Sequence, residues 1–288
     1  MTQPLPHGAC RLADWAVLEA QGPDAAAFLH AQLTQSVTDL DAGSARLGGY
    51  CNAKGRLFAS FVLQRPEPET VRLLLPRELL APLQKKLSMF VLRSKLKLAE
   101  AAVELYGLLG DAVPADLPVW GLGSGTGDCI RLPDALGMRR ALCLAEPPQP
   151  PLERDAWDWA ELHAGLPWIQ PATSEHFVPQ MVNFELLGGV DFKKGCYPGQ
   201  EVVARSQYRG TVKRRMQLLQ GGSAAPGSEL FAGDDAVGEV VAAARWQDQA
   251  ALLAEVQLAA WEGEAPLRLA DGTVLTRAAL PYDIKAPQ

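Results

Sequence analysis

Apolar positions along this chain recur with two periods, and the switches between them mark its elements. Trp15 to Ala20 (WAVLEA) reads as a short strand, after which Gly22-Pro23-Asp24 opens a helix through about Ser36. Asp24 is placed to cap it, while Ala25, Phe28, Leu29 and Leu33 form one apolar stripe. Three strand-like runs follow, Ala45 to Asn52, Leu57 to Gln64 and Thr70 to Leu75, with Lys54-Gly55 turning between the first two and RPEPE (Arg65 to Glu69) breaking the next pair. Pro76 introduces a second helix with Leu79, Leu80, Leu83, Leu87 and Phe90 on one face and Lys85 and Lys86 on the other. Ser94 to Leu98 and Val103 to Leu109 read as a further strand pair.

Strands with a helix laid to one side make an α+β unit rather than a doubly wound sheet. GLGSGTGD (Gly121 to Asp128) lacks a phosphate-loop lysine and the strand-to-helix setting, so it reads as a flexible loop. The proline-rich AEPPQPPLERD (Ala145 to Asp155) is a connector. An aromatic helix, Leu152 to Ala164, carries Trp157 and Trp159 and stops at Gly165 with Pro167 beyond. Glu201 to Tyr208 reads as helical and closes at Arg209-Gly210. Beyond it, Arg214 to Leu219, Ala236 to Arg245 and Ala250 to Leu258 alternate with glycine-bearing turns, the rhythm of a small antiparallel barrel.

Composition narrows the classes. At 288 residues the chain should fold as two or three units, and its 48% apolar content is that of an ordinary globular protein. A net charge of −6 argues against wholesale wrapping of nucleic acid while leaving room for a local basic surface. No apolar run approaches the roughly 20 residues that span a bilayer, and MTQPLPHGAC lacks the basic start and apolar core of an export signal. A reducing, cytoplasmic setting is therefore expected. Five cysteines, widely spaced and without a CxxC pair, together with four histidines, predict neither a disulfide framework nor a zinc site.

One string concentrates the chemistry. Lys194 to Glu201 reads KGCYPGQE and sets Cys196 between two turns, after Lys193 and Lys194. Free cysteine is usually a small buried side chain, yet lysines, glycines, proline, Gln200 and Glu201 suit a bend better than a core. A thiol on a basic bend is the setting from which nucleophiles and metal ligands are drawn. From Asp191 to Arg215, Lys193, Lys194, Arg205, Arg209, Lys213, Arg214 and Arg215 outnumber Asp191 and Glu201, which suggests an anion-binding face. The alternative for Lys213 to Arg215 is a strand edge defended by charge.

FVPQMVNFELLGGVDFKKGCYPGQEVVARSQYRGTVKRR (Phe177 to Arg215) closely resembles the signature region of the YgfZ family, folate-binding relatives of the glycine cleavage T-protein. LADWAVLEAQGPDA (Leu12 to Ala25), YCNAKGRL (Tyr50 to Leu57) and LPYDI (Leu280 to Ile284) agree in order and spacing. The resemblance implies a three-part clover-leaf: a discontinuous folate-binding module of residues 1–45 and 152–210 carrying KGCYPGQE, a ferredoxin-like α+β module of residues 46–151, and an antiparallel β-barrel of residues 211–288. Folate, as tetrahydrofolate or a derivative with one or several glutamates, would fill the central hole. Two tryptophans flank it in the family, matching Trp15 and Trp157 here; a pterin is flat and aromatic, and indole offers it a stacking face. On residue type alone both could equally be core. Asn52, Lys194, Gln200, Glu201 and Arg205 complete the candidate contacts.

The T-protein relies on an acidic residue beside its cofactor. The corresponding stretch here, Asn52 to Phe61, has none, and Asn52 stands where many YgfZ relatives carry aspartate. Asparagine can hydrogen-bond but cannot act as a base. The resemblance therefore implies an accessory role in assembling or repairing iron-sulfur proteins, including tRNA-thiolating client enzymes, rather than a conventional enzyme. Cys196 would be its functional thiol, as transient cluster ligand, redox group or nucleophile, with no resident metal. The alternatives are a folate-dependent aminomethyl or methyl transferase and a module that contacts tRNA directly, the latter not favoured in so acidic a chain.

Overall fold

The computed structural model describes residues 4–123 and 129–284. Strand β1 (Gly8–Arg11) leads to β2 (Trp15–Gln21) and helix α1 (Ala25–Gln32). The helix stops short of the expected Ser36 because the residues after it find partners elsewhere. Thr34 donates from Oγ1 to Gly189 O (2.7 Å) and its Oγ1 accepts from Gly49 N (2.9 Å), while Gln35 Nε2 donates to Gly188 O (2.6 Å). Asp24 stands at the N-cap of α1, as expected, but its side chain makes no capping bond; its carboxylate accepts from Lys95 N at 2.6 Å and ties down a distant loop.

Strands β3 (Ala45–Cys51), β4 (Leu57–Glu67) and β5 (Thr70–Pro76) form the expected meander. RPEPE was expected to break β4, yet the strand continues through Pro66 to Glu67, with its register shifting between Gln64 and Glu67. Helix α2 (Arg77–Val91) buries Leu79, Leu80, Leu83 and Leu87, whereas Phe90, assigned to the same stripe, is 47% exposed.

Strands β6 (Lys97–Glu100) and β7 (Tyr106–Leu109) are not a pair, contrary to the reading of their sequence. β6 joins β2, and β7 lies between β1 and a later strand. The chain continues through β8 (Leu122–Gly123), β9 (Cys129–Ala135) and β10 (Met138–Cys143). Most of the glycine-rich run, residues 124–128, lies outside the described residues. Helices α3 (Arg154–His163) and α4 (Gln200–Tyr208) follow. The last segment supplies β11 (Arg214–Gln220), β12 (Glu229–Ala232), β13 (Asp235–Trp246), β14 (Gln249–Gln257), α5 (Leu258–Glu262), β15 (Leu267–Leu269) and β16 (Thr276–Ala278).

These strands make three sheets whose ladders are all antiparallel, so the fold mixes helices with antiparallel sheets as the α+β expectation requires. Their orders are β3-β4-β5-β2-β6, β1-β7-β10-β9-β8 and β15-β12-β13-β14-β11-β16. The expected boundary at residues 45/46 runs through the first sheet, because β2 sits between β5 and β6. The third sheet is built entirely from residues beyond 211, and in β11 and β14 its two faces alternate: Leu219, Leu252 and Ala254 close on a core of their own, while Leu218, Ala251 and Leu253 join the main core.

The cysteine reading needs one correction. Cys129 and Cys143 face each other across β9 and β10, with Cα atoms 4.1 Å apart, and are bonded as a disulfide. A separation of 14 residues carries no sign of this; only the hairpin register brings the two thiols together. The bond is also unlike what a reducing compartment favours. Cys10 and Cys51 are buried free thiols, and Cys196 is an exposed one.

Candidate functional site

Trp15 opens β2 opposite Pro76, and Trp157 lies in the first half of α3, which packs across β13. The fold brings both to one cavity of about 300 Å³, lined also by Asp14, Glu78, Arg154, Asp158, Glu161 and Trp168. Its far wall is Ala242 and Ala243 of β13, so the cavity lies between the first sheet, α3 and the third sheet.

The two expected tryptophans are held differently. Trp157 is 1% exposed and lies flat against β7: a Cβ on Gly107 would come within 2.5 Å of its ring, so only glycine permits the approach. The Arg140 guanidinium sits 5.6 Å from the Trp157 ring centre. Trp15 instead meets Trp168 edge to face, with centroids 5.0 Å apart and an interplanar angle of 81°. Trp168 Nε1 donates to Glu161 Oε1 at 2.6 Å, and Glu161 pairs with the fully buried Arg140 at 2.9 Å. One carboxylate thus orients Trp168 directly and Trp157 through Arg140.

A second network edges the cavity. Arg154 donates to both oxygens of Asp14 (2.5 and 2.8 Å) and from Nε to Asp158 (2.7 Å). Burial pushes the Asp14 carboxyl up, but the hydrogen bonds and charge of Arg154 outweigh it and hold the group below the usual range. At Asp158 burial wins over Arg154, aided by Asp14 and Glu161, and the carboxyl is raised. Carboxylates absent from Asn52 to Phe61 do line the cavity from other stretches: Asp14 precedes Trp15, and Asp158 and Glu161 share the helix of Trp157. A carboxylate one residue from a stacking tryptophan, and others at helical spacing from a second, were the signals available in sequence.

The motif residues form a separate cluster. Gly199 adopts φ 78° before α4, and a Cβ there would lie 2.3 Å from Asn52 O and 2.6 Å from Gly55 Cα. That contact seats the YCNAKG hairpin on the CYPGQE turn, joining two stretches about 140 residues apart in the chain. Asn52 Oδ1 accepts from Lys54 N (2.9 Å) and Arg56 N (3.1 Å), so its side chain holds the hairpin. Lys194 is 8% exposed and donates to His30 O and Leu33 O (2.6 Å) at the end of α1, with Nζ 4.9 Å from the Tyr197 ring centre. Burial, only partly offset by Asp191 and Cys196, lowers its pKa to about 8. Gln200 is half-buried at the start of α4, and Cys196, Glu201 and Arg205 are exposed. None of these residues lines the tryptophan cavity.

Three of the seven cations of the basic run are used up by the fold. Arg214 pairs with the buried Glu255 (2.7 Å), Arg215 with the buried Glu185 (2.5 Å), and Lys194 is committed to α1. Lys193, Arg205, Arg209 and Lys213 remain exposed without an ion pair among the described residues. Among those residues no three His, Cys, Asp or Glu side chains are grouped to hold a metal ion. The indoles and carboxylates that line the tryptophan cavity are groups that suit a flat heterocycle with N–H donors; a cluster at Cys196 would need ligands from another molecule.

An aromatic cavity between antiparallel sheets, in this topology, defines a T-protein-like fold. The chain is similar to the glycine cleavage system aminomethyltransferase T from Bartonella henselae, with a TM-score of 0.74 and 17% identity over 96% of this chain and 86% of that one. At that identity the likeness shows the fold alone. The sequence is 33% identical to the tRNA-modifying protein YgfZ of Edwardsiella ictaluri over 96% of this chain and 93% of the relative. It is 30% identical to that of Serratia proteamaculans over 97% and 94%, and 28% identical to an uncharacterized protein of Haemophilus influenzae over 95% and 97%. No family model matches the chain. It belongs to the YgfZ family.

Proposed function

We propose that this chain binds a tetrahydrofolate in the tryptophan cavity and acts in tRNA modification as an accessory to the assembly or repair of iron-sulfur proteins, tRNA-thiolating enzymes among its clients. The observation that carries the folate reading is the meeting of Trp15 and Trp157, 142 positions apart in the sequence, in one cavity walled by a third indole. The tRNA reading rests on relatives that bear the name tRNA-modifying protein. Cys196 is the functional thiol of this reading: it is exposed, on a turn held to the Asn52 hairpin and to α1, and apart from the cavity. A three-part clover-leaf and a cytoplasmic location belong to the same proposal; among the described residues no helix is long and apolar enough to cross a membrane.

One second reading has an observation behind it. Asp14, Asp158 and Glu161 put acids beside the ring site, which favours a folate-dependent one-carbon transferase more than the sequence does. Direct tRNA contact loses support, since three of the seven cations between Asp191 and Arg215 are engaged by groups of the protein itself.

Tetrahydrofolate titrated against tryptophan fluorescence tests the first proposal. Trp15→Ala should weaken binding at least tenfold, about 1.4 kcal/mol; a native chain that gives no response refutes folate binding. Cys196→Ala should keep the fold and the folate affinity yet fail to restore iron-sulfur enzyme activity in a deletion strain. Full rescue by that variant removes the thiol from the mechanism.

A further inference from the structure

The charge of the tryptophan cavity bears on which folate it takes. Four carboxylates line it, Asp14, Glu78, Asp158 and Glu161. Arg154 is shared between Asp14 and Asp158, and Arg140, behind the wall, answers Glu161. Glu78, in the first turn of α2, has no ion pair or hydrogen bond among the described residues. The neighbouring Arg77 is already engaged by Glu100 at 2.5 Å and by the Ala13 and Trp15 carbonyls. Two negative charges therefore stand uncompensated around a cavity lined in part by three indoles. Aromatic faces attract cations through their quadrupole, and carboxylates around a partly dehydrated cavity do so through Coulomb's law. A neutral ring could stack on the indoles but would leave both attractions unused.

We propose that the cavity selects reduced folates whose ring system is a cation, the N5–N10 amidinium of 5,10-methenyltetrahydrofolate being the stable example, over neutral 5-substituted forms. This inference rests on the folate reading and adds the species to it. The negative tail is common to all these folates, so the preference isolates the charge on the ring. It also places the tail away from the four carboxylates, outside the slot.

The experiment is calorimetric titration of the full chain with the monoglutamates of 5,10-methenyl-, 5-formyl- and 5-methyltetrahydrofolate, in a mildly acidic buffer that preserves the amidinium, at low and high salt. The cation should bind about tenfold tighter than either neutral form. High salt should shrink that ratio. Glu78→Gln, at an exposed helix start, should cut it to about threefold by weakening the cation more than the neutral forms. Equal affinities for cation and neutral forms overturn the inference and leave the folate reading standing. A preference indifferent to both Glu78→Gln and salt also overturns it. Failure of all three folates to bind overturns the folate reading itself.

Discussion

Gly107→Ala is the sharpest test of how the cavity is built. The added methyl would stand 2.5, 2.6 and 2.7 Å from three ring carbons of Trp157, where carbon atoms in contact sit about 3.5–4.0 Å apart. The ring must retreat by about 1 Å, and it is 1% exposed with the buried, Glu161-paired Arg140 5.6 Å from its centre. Overpacking of this kind costs about 1–3 kcal/mol. In a chain of this size each 1 kcal/mol lowers Tm by about 2–4 °C. Because Trp157 lines the cavity, the same displacement reshapes the ligand slot, and tetrahydrofolate affinity should fall about tenfold. Thermal melts and fluorescence titrations read the two effects. Trp157→Ala removes the ring with which the methyl clashes, so it should cost less stability in the Gly107→Ala background than in the native chain, a coupling measured by the double-mutant cycle. A Gly107→Ala protein with native Tm and native affinity would refute the tight seating of Trp157.

Three further outcomes follow from buried charge and cross-linking. Glu185→Gln should destabilise by about 3–5 kcal/mol in denaturant unfolding, because it leaves Arg215, 2% exposed, without its counter-charge. Burial, offset only in part by the Trp159 carbonyl, holds the His163 imidazole below its ordinary value of 6.5. The unfolded chain then takes up the proton first, so this contribution is complete above about pH 6.5 and is lost as pH falls below it; His163→Phe should flatten stability profiles measured between about pH 5 and 7. Alkylation and mass spectrometry without reductant should find Cys129 and Cys143 bonded and Cys196 modified. Opening that bond should cost about 3 kcal/mol, read as a lower Tm in reductant; free thiols at both positions would contradict the pairing.

Local pattern carried much of the architecture. The β3–β4–β5 meander, the apolar stripe of α2 up to Leu87, the stop of α3 before Gly165 and the short strands of the last third are all governed by neighbours within a few residues, so they are legible in order along the chain. Failures cluster where a distant partner intervenes. α1 ends early because Thr34 and Gln35 bond to Gly189 and Gly188, Asp24 caps a remote loop, and β6 and β7 separate because β2 and β1 compete for them.

The candidate site divides in the same way. The KGCYPGQE turn and its exposed thiol are local features, and sequence alone determined them, along with the two tryptophans that the family resemblance singled out. Only tertiary structure decided that Trp168, Asp14, Asp158 and Glu161 surround those tryptophans, that Asn52 braces a hairpin, and that Lys194 and Arg215 are spent inside the protein. The reason is physical: a turn is set by the φ and ψ preferences of adjacent residues, whereas a cavity and the partner of a buried charge depend on which remote surfaces the three sheets bring together.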